Sequence, residues 1–268
     1  MTEHQTSERR GGRIIGISQS LLHYRPNAER DIPVIEALQD LAHHYPAYGF
    51  GLMFNKLRQA GLSWNKKRVY RIYCRLKLNL RRKGKKRLPN RNPQPLAVPI
   101  NMNPCWSVDF MSDALMDGRR FRLFNVADDF NREAQAVEVD LNIPAHRVVR
   151  VLERLSAERG YPAFIRSDNG PELTAAVLSE WAEQHGVILD FIQPGKPMQN
   201  GFIERFNKTL RTEILDMYLF RTLSEVRELT ENRRTEYNEE RPHSSPGGIP
   251  PVTYARQKLA GDSNWQWY

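Results

Sequence analysis

Three carboxylates stand out by the company they keep. Asp109 sits inside Trp106-Ser107-Val108-Asp109-Phe110-Met111, an otherwise apolar and aromatic run that reads as a β-strand. A charged side chain in such a run is costly to bury unless it is paired or holds a metal ion. Asp168 falls where another apolar run, Pro162-Ala163-Phe164-Ile165-Arg166, gives way to Ser167-Asp168-Asn169-Gly170. That is the carboxyl end of a strand, where open α/β sheets bind ligands. Glu204 comes after the loop residues Pro194, Gly195, Pro197, Asn200 and Gly201, in the first turn or so of a helical pattern of Phe202, Ile203, Phe206 and Leu210. Hard oxygen ligands of this kind, without His or Cys, favour Mg2+ or Mn2+. Two such ions suit phosphodiester chemistry, activating an attacking oxygen and steadying a leaving one. Any single Asp or Glu is more often a solvated surface group. Spacing alone leaves Asp113, Asp128 and Asp129 as competitors.

Charge suggests the partner. The 268 residues carry a formal net charge of +9, and the excess is concentrated. Residues 41–108 hold fifteen basic side chains and no acidic one, whereas residues 109–268 hold twenty basic and twenty-five acidic. A polyanion such as DNA is the natural partner, because each neutralised phosphate releases counterions. Lys66, Lys67, Arg68 and Arg71 are the candidates for phosphate contacts in the basic block. Lys196, Arg205 and Lys208 flank Glu204 and are further candidates, as is Arg241; His243 lies on the same polar run as Arg241. A basic face that is merely solvated is the plainer alternative. Two cysteines, Cys74 and Cys105, are too few for a disulfide scaffold or a cysteine zinc site. No apolar run is long enough to span a membrane, and residues 1–13 are polar without a signal-peptide core. A reduced, cytoplasmic protein, associated with the nucleoid when bound to DNA, is the expectation.

The elements that must position these residues follow from periodicity. Ile32 to His44, Phe50 to Ala60 and Asn65 to Leu76 each read as a helix, the last with Asn65 as N-cap. The second and third, joined by a short turn and followed by cations, suggest a helix-turn-helix. Asn79 to Pro99 is basic and proline-containing, a linker. Then come strands near 106–111, 119–129 and 134–139, a helix to Arg159, a strand at 162–166, a helix over 172–185, a strand at 187–192, a helix from Gly201 and another from Leu223. Three antiparallel strands followed by alternating helix and strand predict an α/β fold with a mixed sheet. The expected partition is a partial or flexible segment 1–30, a helical segment 31–78, a linker 79–103, a core 104–222, and a C-terminal helix and tail 223–268. The tail's Trp265, Trp267 and Tyr268 could dock as a small apolar patch.

Four stretches carry a resemblance: Trp106-Ser107-Val108-Asp109-Phe110; Arg166-Ser167-Asp168-Asn169-Gly170-Pro171-Glu172; Pro194 to Asn207; and Tyr237-Asn238-Glu239-Glu240-Arg241-Pro242-His243-Ser244-Ser245. Together they resemble the transposases of the IS3 family of bacterial insertion sequences, in particular the downstream-frame (OrfB) product. The family's catalytic domain is similar to retroviral integrase cores and to ribonuclease H folds. Its triad is Asp, Asp and a Glu separated from the second Asp by thirty-five residues; thirty-five residues lie between Asp168 and Glu204. The resemblance maps the first Asp to Asp109. Leu173 stands where the family commonly has Phe, Asn232 where Trp is frequent, and Pro246-Gly247-Gly248 where a Leu-Gly-Tyr type of continuation is usual.

The resemblance implies metal-dependent DNA cleavage and strand transfer, with Asp109, Asp168 and Glu204 holding two Mg2+ or Mn2+. It implies joining of one transposon end to the other before insertion, and an assembly of at least two copies on paired ends. It also implies an upstream frame, fused or separate, that supplies terminal-repeat recognition. Two other readings remain at this level: a ribonuclease H-like nuclease that only hydrolyses, and a DNA-binding regulatory product that is active only as a fusion.

Overall fold

In the computed structural model, residues 7–23, 29–80, 98–99, 103–243 and 247–260 are described. Most of the expected basic linker, the 244–246 part of the Arg-Pro-His-Ser-Ser run, and the aromatic tail from Gly261 lie outside these residues. The chain divides into two compact units, Met1–Pro46 with Ser63–Asn79, and Ala47–Leu62 with Leu80–Tyr268.

The smaller unit holds four helices among its described residues: α1 (Glu8–Ile14), α2 (Gln19–Leu22), α3 (Ile32–His44) and α5 (Lys66–Arg75). α3 packs on α5, with Val34, Leu38, Val69 and Ile72 fully buried. Asn65 caps α5 as expected, its side chain accepting from the Lys67 amide at 2.8 Å. The intervening helix α4 (Phe50–Gln59) belongs to the larger unit. The sequence reading grouped α4 with α5 as a helix-turn-helix; the two helices fall in different units instead.

The larger unit is built on five strands: β1 (Cys105–Ala114), β2 (Arg120–Asp128), β3 (Ala134–Asp140), β4 (Phe164–Ser167) and β5 (Ile188–Phe191). Their order in the sheet is β3-β2-β1-β4-β5. β1, β2 and β3 pair antiparallel, and β4 and β5 join parallel to β1 and to each other. This is the mixed sheet expected from the sequence. Gly118 supports the tight β1–β2 turn at φ 84°, a left-handed conformation that a side chain would strain.

Helices cover both faces because side chains alternate along a strand. Trp106, Val108, Phe124 and Val126 face α6 (Ala145–Arg159) and α7 (Ala176–Gln184), meeting Leu152, Leu155, Leu178 and Trp181 in one core. On the opposite face Phe121, Leu123 and Ala127 meet Ile203, Phe206 and Leu210 of α8 (Gly201–Leu210) and Val226 of α9 (Leu223–Glu239). A π-helical turn, Arg211–Leu215, extends α8 and turns Ile214 and Leu215 inward. α9 opens with a Thr222/Glu225 capping box. A last helix, α10 (Pro251–Leu259), has Pro251 in its first turn and was not anticipated from the pattern. No helix among the described residues is long and apolar enough to cross a membrane.

The Tyr237-to-His243 run packs inside this unit. His243 is buried, its ring edge-on to Tyr237 at 4.4 Å between centroids and its Nε2 3.2 Å from the Tyr237 carbonyl. Arg241 pairs with Glu213 at 2.9 Å and lies over the Tyr48 and Tyr237 rings. Arg233 pairs with the same Glu213, and Lys56 of α4 pairs with Glu240 at 3.0 Å. The run therefore fastens residues 47–62 to α9. Arg241 and His243 thus make their contacts within this unit.

Burial, reinforced by the nearby Arg241 charge, depresses the His243 pKa from 6.5 to about 3. The folded state holds a neutral ring where the unfolded chain would take up a proton. Its contribution to stability is complete above pH 6.5 and is lost as the pH falls from there toward 3. Urea unfolding across that range should show the decline, and His243→Gln should flatten it while lowering stability at pH 7.5.

Candidate active site

Asp109 lies on β1, on the face that α8 covers. β1 and β4 pair Cys105 with Phe164 and Ser107 with Arg166. Asp109 lies two residues beyond Ser107 on β1, and Asp168 lies two residues beyond Arg166, just past the end of β4.

A turn holds Asp168. Its Oδ1 accepts from the Gly170 amide at 3.1 Å, and Gly170's carbonyl in turn accepts from the Thr174 hydroxyl at 3.1 Å. This turn delays the start of α7 to Ala176, against the sequence expectation of a helix from Glu172. The Asn169 side chain donates to the Ile192 carbonyl at 3.1 Å, tying the turn to the loop that leads to α8. A Cβ on Gly170 would stand 3.1 Å from Asp168 Oδ1, so a larger residue there would displace the carboxylate by a few tenths of an ångström.

Glu204 is exposed in the first turn of α8. Two asparagines on the same helical stripe fix that turn, at positions 200 and 207. Asn200 is buried and donates to the Val108 carbonyl of β1 at 3.1 Å. Asn207 is buried and donates to Asp109 Oδ2 at 2.8 Å, while its own oxygen accepts from Asn125 of β2 at 2.7 Å. The chain Asn125–Asn207–Asp109 was not anticipated. Its trace in the sequence is the helical spacing of Asn200, Glu204 and Asn207.

Electrostatics bears on Asp109. Burial pushes the Asp109 carboxyl up to about 6, and the Asp168 and Glu204 charges push the same way. The Phe110 amide and Asn207, both donating to the carboxylate, oppose the rise. Among the described residues, no three His, Cys, Asp or Glu side chains stand close enough together to enclose a metal ion. The donors are nonetheless all oxygen, and the like charges that act on Asp109 are of the kind that a hard divalent cation offsets. In chemistry the set fits Mg2+ or Mn2+.

The competing carboxylates have other partners. Asp113 pairs with Arg211 at 2.6 Å. Asp128 accepts from the Asn103 and Phe130 amides at 2.8 and 2.7 Å, closing the β2–β3 turn. Asp129 accepts from Ser107 and pairs with Arg166 at 2.8 Å. Asp128 and Asp129 are buried and hydrogen-bonded, whereas the Asp113–Arg211 pair is partly exposed.

Of the basic candidates, Lys196, Arg205 and Lys208 are exposed, with Lys208 one helical turn beyond Glu204. Lys66 and Lys67 are exposed in the first turn of α5, beside Arg68. Arg68 and Arg71 both reach Asp31 at 3.0 Å, and Arg75 reaches it at 3.6 Å. Arg68 is thereby held largely within its unit, whereas Arg71 stays outward with donors to spare.

Asn207→Leu should leave the Asn125 amide and one Asp109 oxygen without a partner. A loss of about 1–3 kcal/mol in urea unfolding is expected, with the Asp109 pKa rising further in an NMR titration. An unchanged Asp109 titration would show that the hydrogen bond carries nothing.

Comparisons with known proteins agree with this architecture. Two models described as "Integrase core domain" match residues 101–197 and 185–251. An insertion element IS407 protein of 31.7 kDa from Burkholderia multivorans is 40% identical over 95% of this chain and 92% of its own length. An insertion element IS476 protein of 39.2 kDa from Xanthomonas euvesicatoria is 38% identical over 98% of this chain and 77% of its own. Low calcium response locus protein T of Yersinia pestis is 79% identical over 48% of this chain and 91% of its own length. A chain of the simian T-cell lymphotropic virus intasome overlays with a TM-score of 0.52 at 16% identity, covering 74% of this chain and 70% of that one, a likeness of fold. With its ribonuclease H-like sheet and integrase-core matches, and at this identity to insertion-element proteins over nearly its whole length, the chain belongs to the IS3-family-like transposases of bacterial insertion sequences, which carry an integrase catalytic core.

Proposed function

We propose that Asp109, Asp168 and Glu204 form the catalytic triad of this transposase, and that it cleaves insertion-sequence ends and transfers the freed strands. The observation that supports the reading is geometric: Asn207 of α8, the helix that carries Glu204, donates to Asp109 Oδ2, and β1 pairs with β4, the strand that runs into Asp168. The three carboxylates would hold Mg2+ or Mn2+, two ions in the full reading, which supply charge neutralisation where two phosphate oxygens must approach. The protein's own part is positioning. Asn207 holds Asp109 Oδ2, Gly170 holds Asp168 Oδ1, and Asn200 locks the start of α8 to β1. A water attacks at the transposon end and frees a 3′-hydroxyl; that hydroxyl then attacks a second phosphodiester, first at the other end and later in target DNA. No covalent protein nucleophile is needed.

Lys196, Arg205 and Lys208 are suited to the phosphates of the transposon end, because they are exposed on the loop and helix that carry Glu204. Lys66, Lys67 and Arg71 are suited to backbone contacts away from the chemistry. No acidic residue lies in the first turn of α5, so its cations face the positive end of the helix dipole, an arrangement that a polyanion stabilises. Two ends must be held together, so a homo-oligomer forms on DNA, and an upstream-frame product supplies terminal-repeat recognition. Work takes place in the bacterial cytoplasm, at the nucleoid.

Asp109→Asn, Asp168→Asn and Glu204→Gln should each lower cleavage and end joining of a labelled terminal-repeat duplex by about a thousandfold or more while leaving DNA binding near wild type. A triad variant that still joined strands would overturn the assignment. Cleavage without joining by the wild type would favour a simple nuclease. Replacing Lys66 and Lys67 together by Ala should reduce the slope of log K against log salt by about two.

A further inference from the structure

Arg122 connects the two segments that carry Asp109 and Asp168. It lies on β2 opposite Ser112 of β1. Its guanidinium stands 4.2 Å from the centroid of the Phe110 ring, and the Phe110 amide donates to Asp109 Oδ1 at 2.8 Å. The same guanidinium donates through Nη1 to Glu172 Oε1 in an ion pair whose side chains are 28% and 20% exposed. Glu172 belongs to the turn that starts at Asp168, and its Oε2 lies 3.9 Å from the point where a Gly170 Cβ would stand. One planar cation thus rests on the residue beside Asp109 and binds the turn that presents Asp168.

Strand pairing does not require this link. The backbone of Arg122 pairs with Ser112 and Asp140 whatever its side chain. What the side chain adds is a bond from β2 across β1 to the Asp168 turn. The pairing also neutralises Glu172, and the guanidinium holds that carboxyl below its usual range. A fourth bare carboxylate next to Asp168 would pull the turn toward any cation and away from its register with Asp109.

We propose that Arg122, acting through Glu172 and the Phe110 ring, is a positioning residue that fixes the spacing of Asp109 and Asp168 and so sets the site's affinity for a divalent cation. This rests on the reading of those carboxylates as cation ligands.

The test uses the full chain without DNA and reads two things: Mn2+ binding by electron paramagnetic resonance, and amide exchange of residues 169–174. Arg122→Ala and Glu172→Ala are each expected to weaken Mn2+ binding about tenfold and to speed exchange in the turn. The double variant should be no worse than either single one, because both remove the same link. Arg122→Lys should recover part of the affinity, keeping the charge but losing the planar stack on Phe110. Unchanged exchange, a looser turn with unchanged Mn2+ binding, or fully additive losses would each overturn the proposal. Asp109→Asn separates the failures. If it weakens Mn2+ binding while Arg122→Ala does not, positioning by Arg122 is wrong and the ligand reading stands. If it does not weaken binding, the ligand reading itself fails, and this proposal with it.

Discussion

Parallel pairing of β1 with β4 is the constraint on which the site depends. It brings the end of β4, and the turn that opens at Asp168, alongside the strand that carries Asp109. Gathering carboxylates there is unfavourable, because burial and like charge both resist ionisation, as the raised Asp109 pKa records. The surrounding structure offsets that cost locally. Backbone amides and asparagine side chains donate to the carboxylates, and the apolar layers behind β1 leave its strand no freedom to move away.

The same physics accounts for the other charged groups. Asp113, Asp128 and Asp129 look like equal candidates in the sequence, yet each meets a cation or buried amides in the fold. Arg241 and Arg233 converge on Glu213, which the π-helical turn after α8 brings inward. A count of charges in a sequence cannot separate cations that meet solvent from cations that neutralise an internal carboxylate. The burial of both partners makes that distinction here.

The Tyr237-to-His243 run shows what a motif's composition leaves open. Its polar composition suggests an outward, DNA-facing role. Tyr237 and His243 instead stack edge to face inside the larger unit, and Arg241 lies across Tyr48, joining residues 47–62 to α9. That clasp also explains why α4 belongs with the sheet and not with α3 and α5.

Much of this protein was legible in its sequence. Apolar and aromatic runs in 105–140, separated by turn residues such as Gly118, mark three strands, and their near-continuous apolar character matches a sheet buried on both faces. Gly160 and Gly186 mark helix ends, and Asn65 marks a helix start, because backbone geometry at those points favours these residue types. Asp109, Asp168 and Glu204 are candidates in the sequence because a carboxylate in an apolar strand, at a strand end, or early in an apolar-faced helix departs from local pattern. Only tertiary structure decided their supporting cast. Asn125, Asn207, Arg122 and Glu172 are unremarkable in sequence; they matter through contacts spanning from 50 to 98 residues. Such contacts depend on strand order and on the rotation of α8 over the sheet, and no local period encodes either.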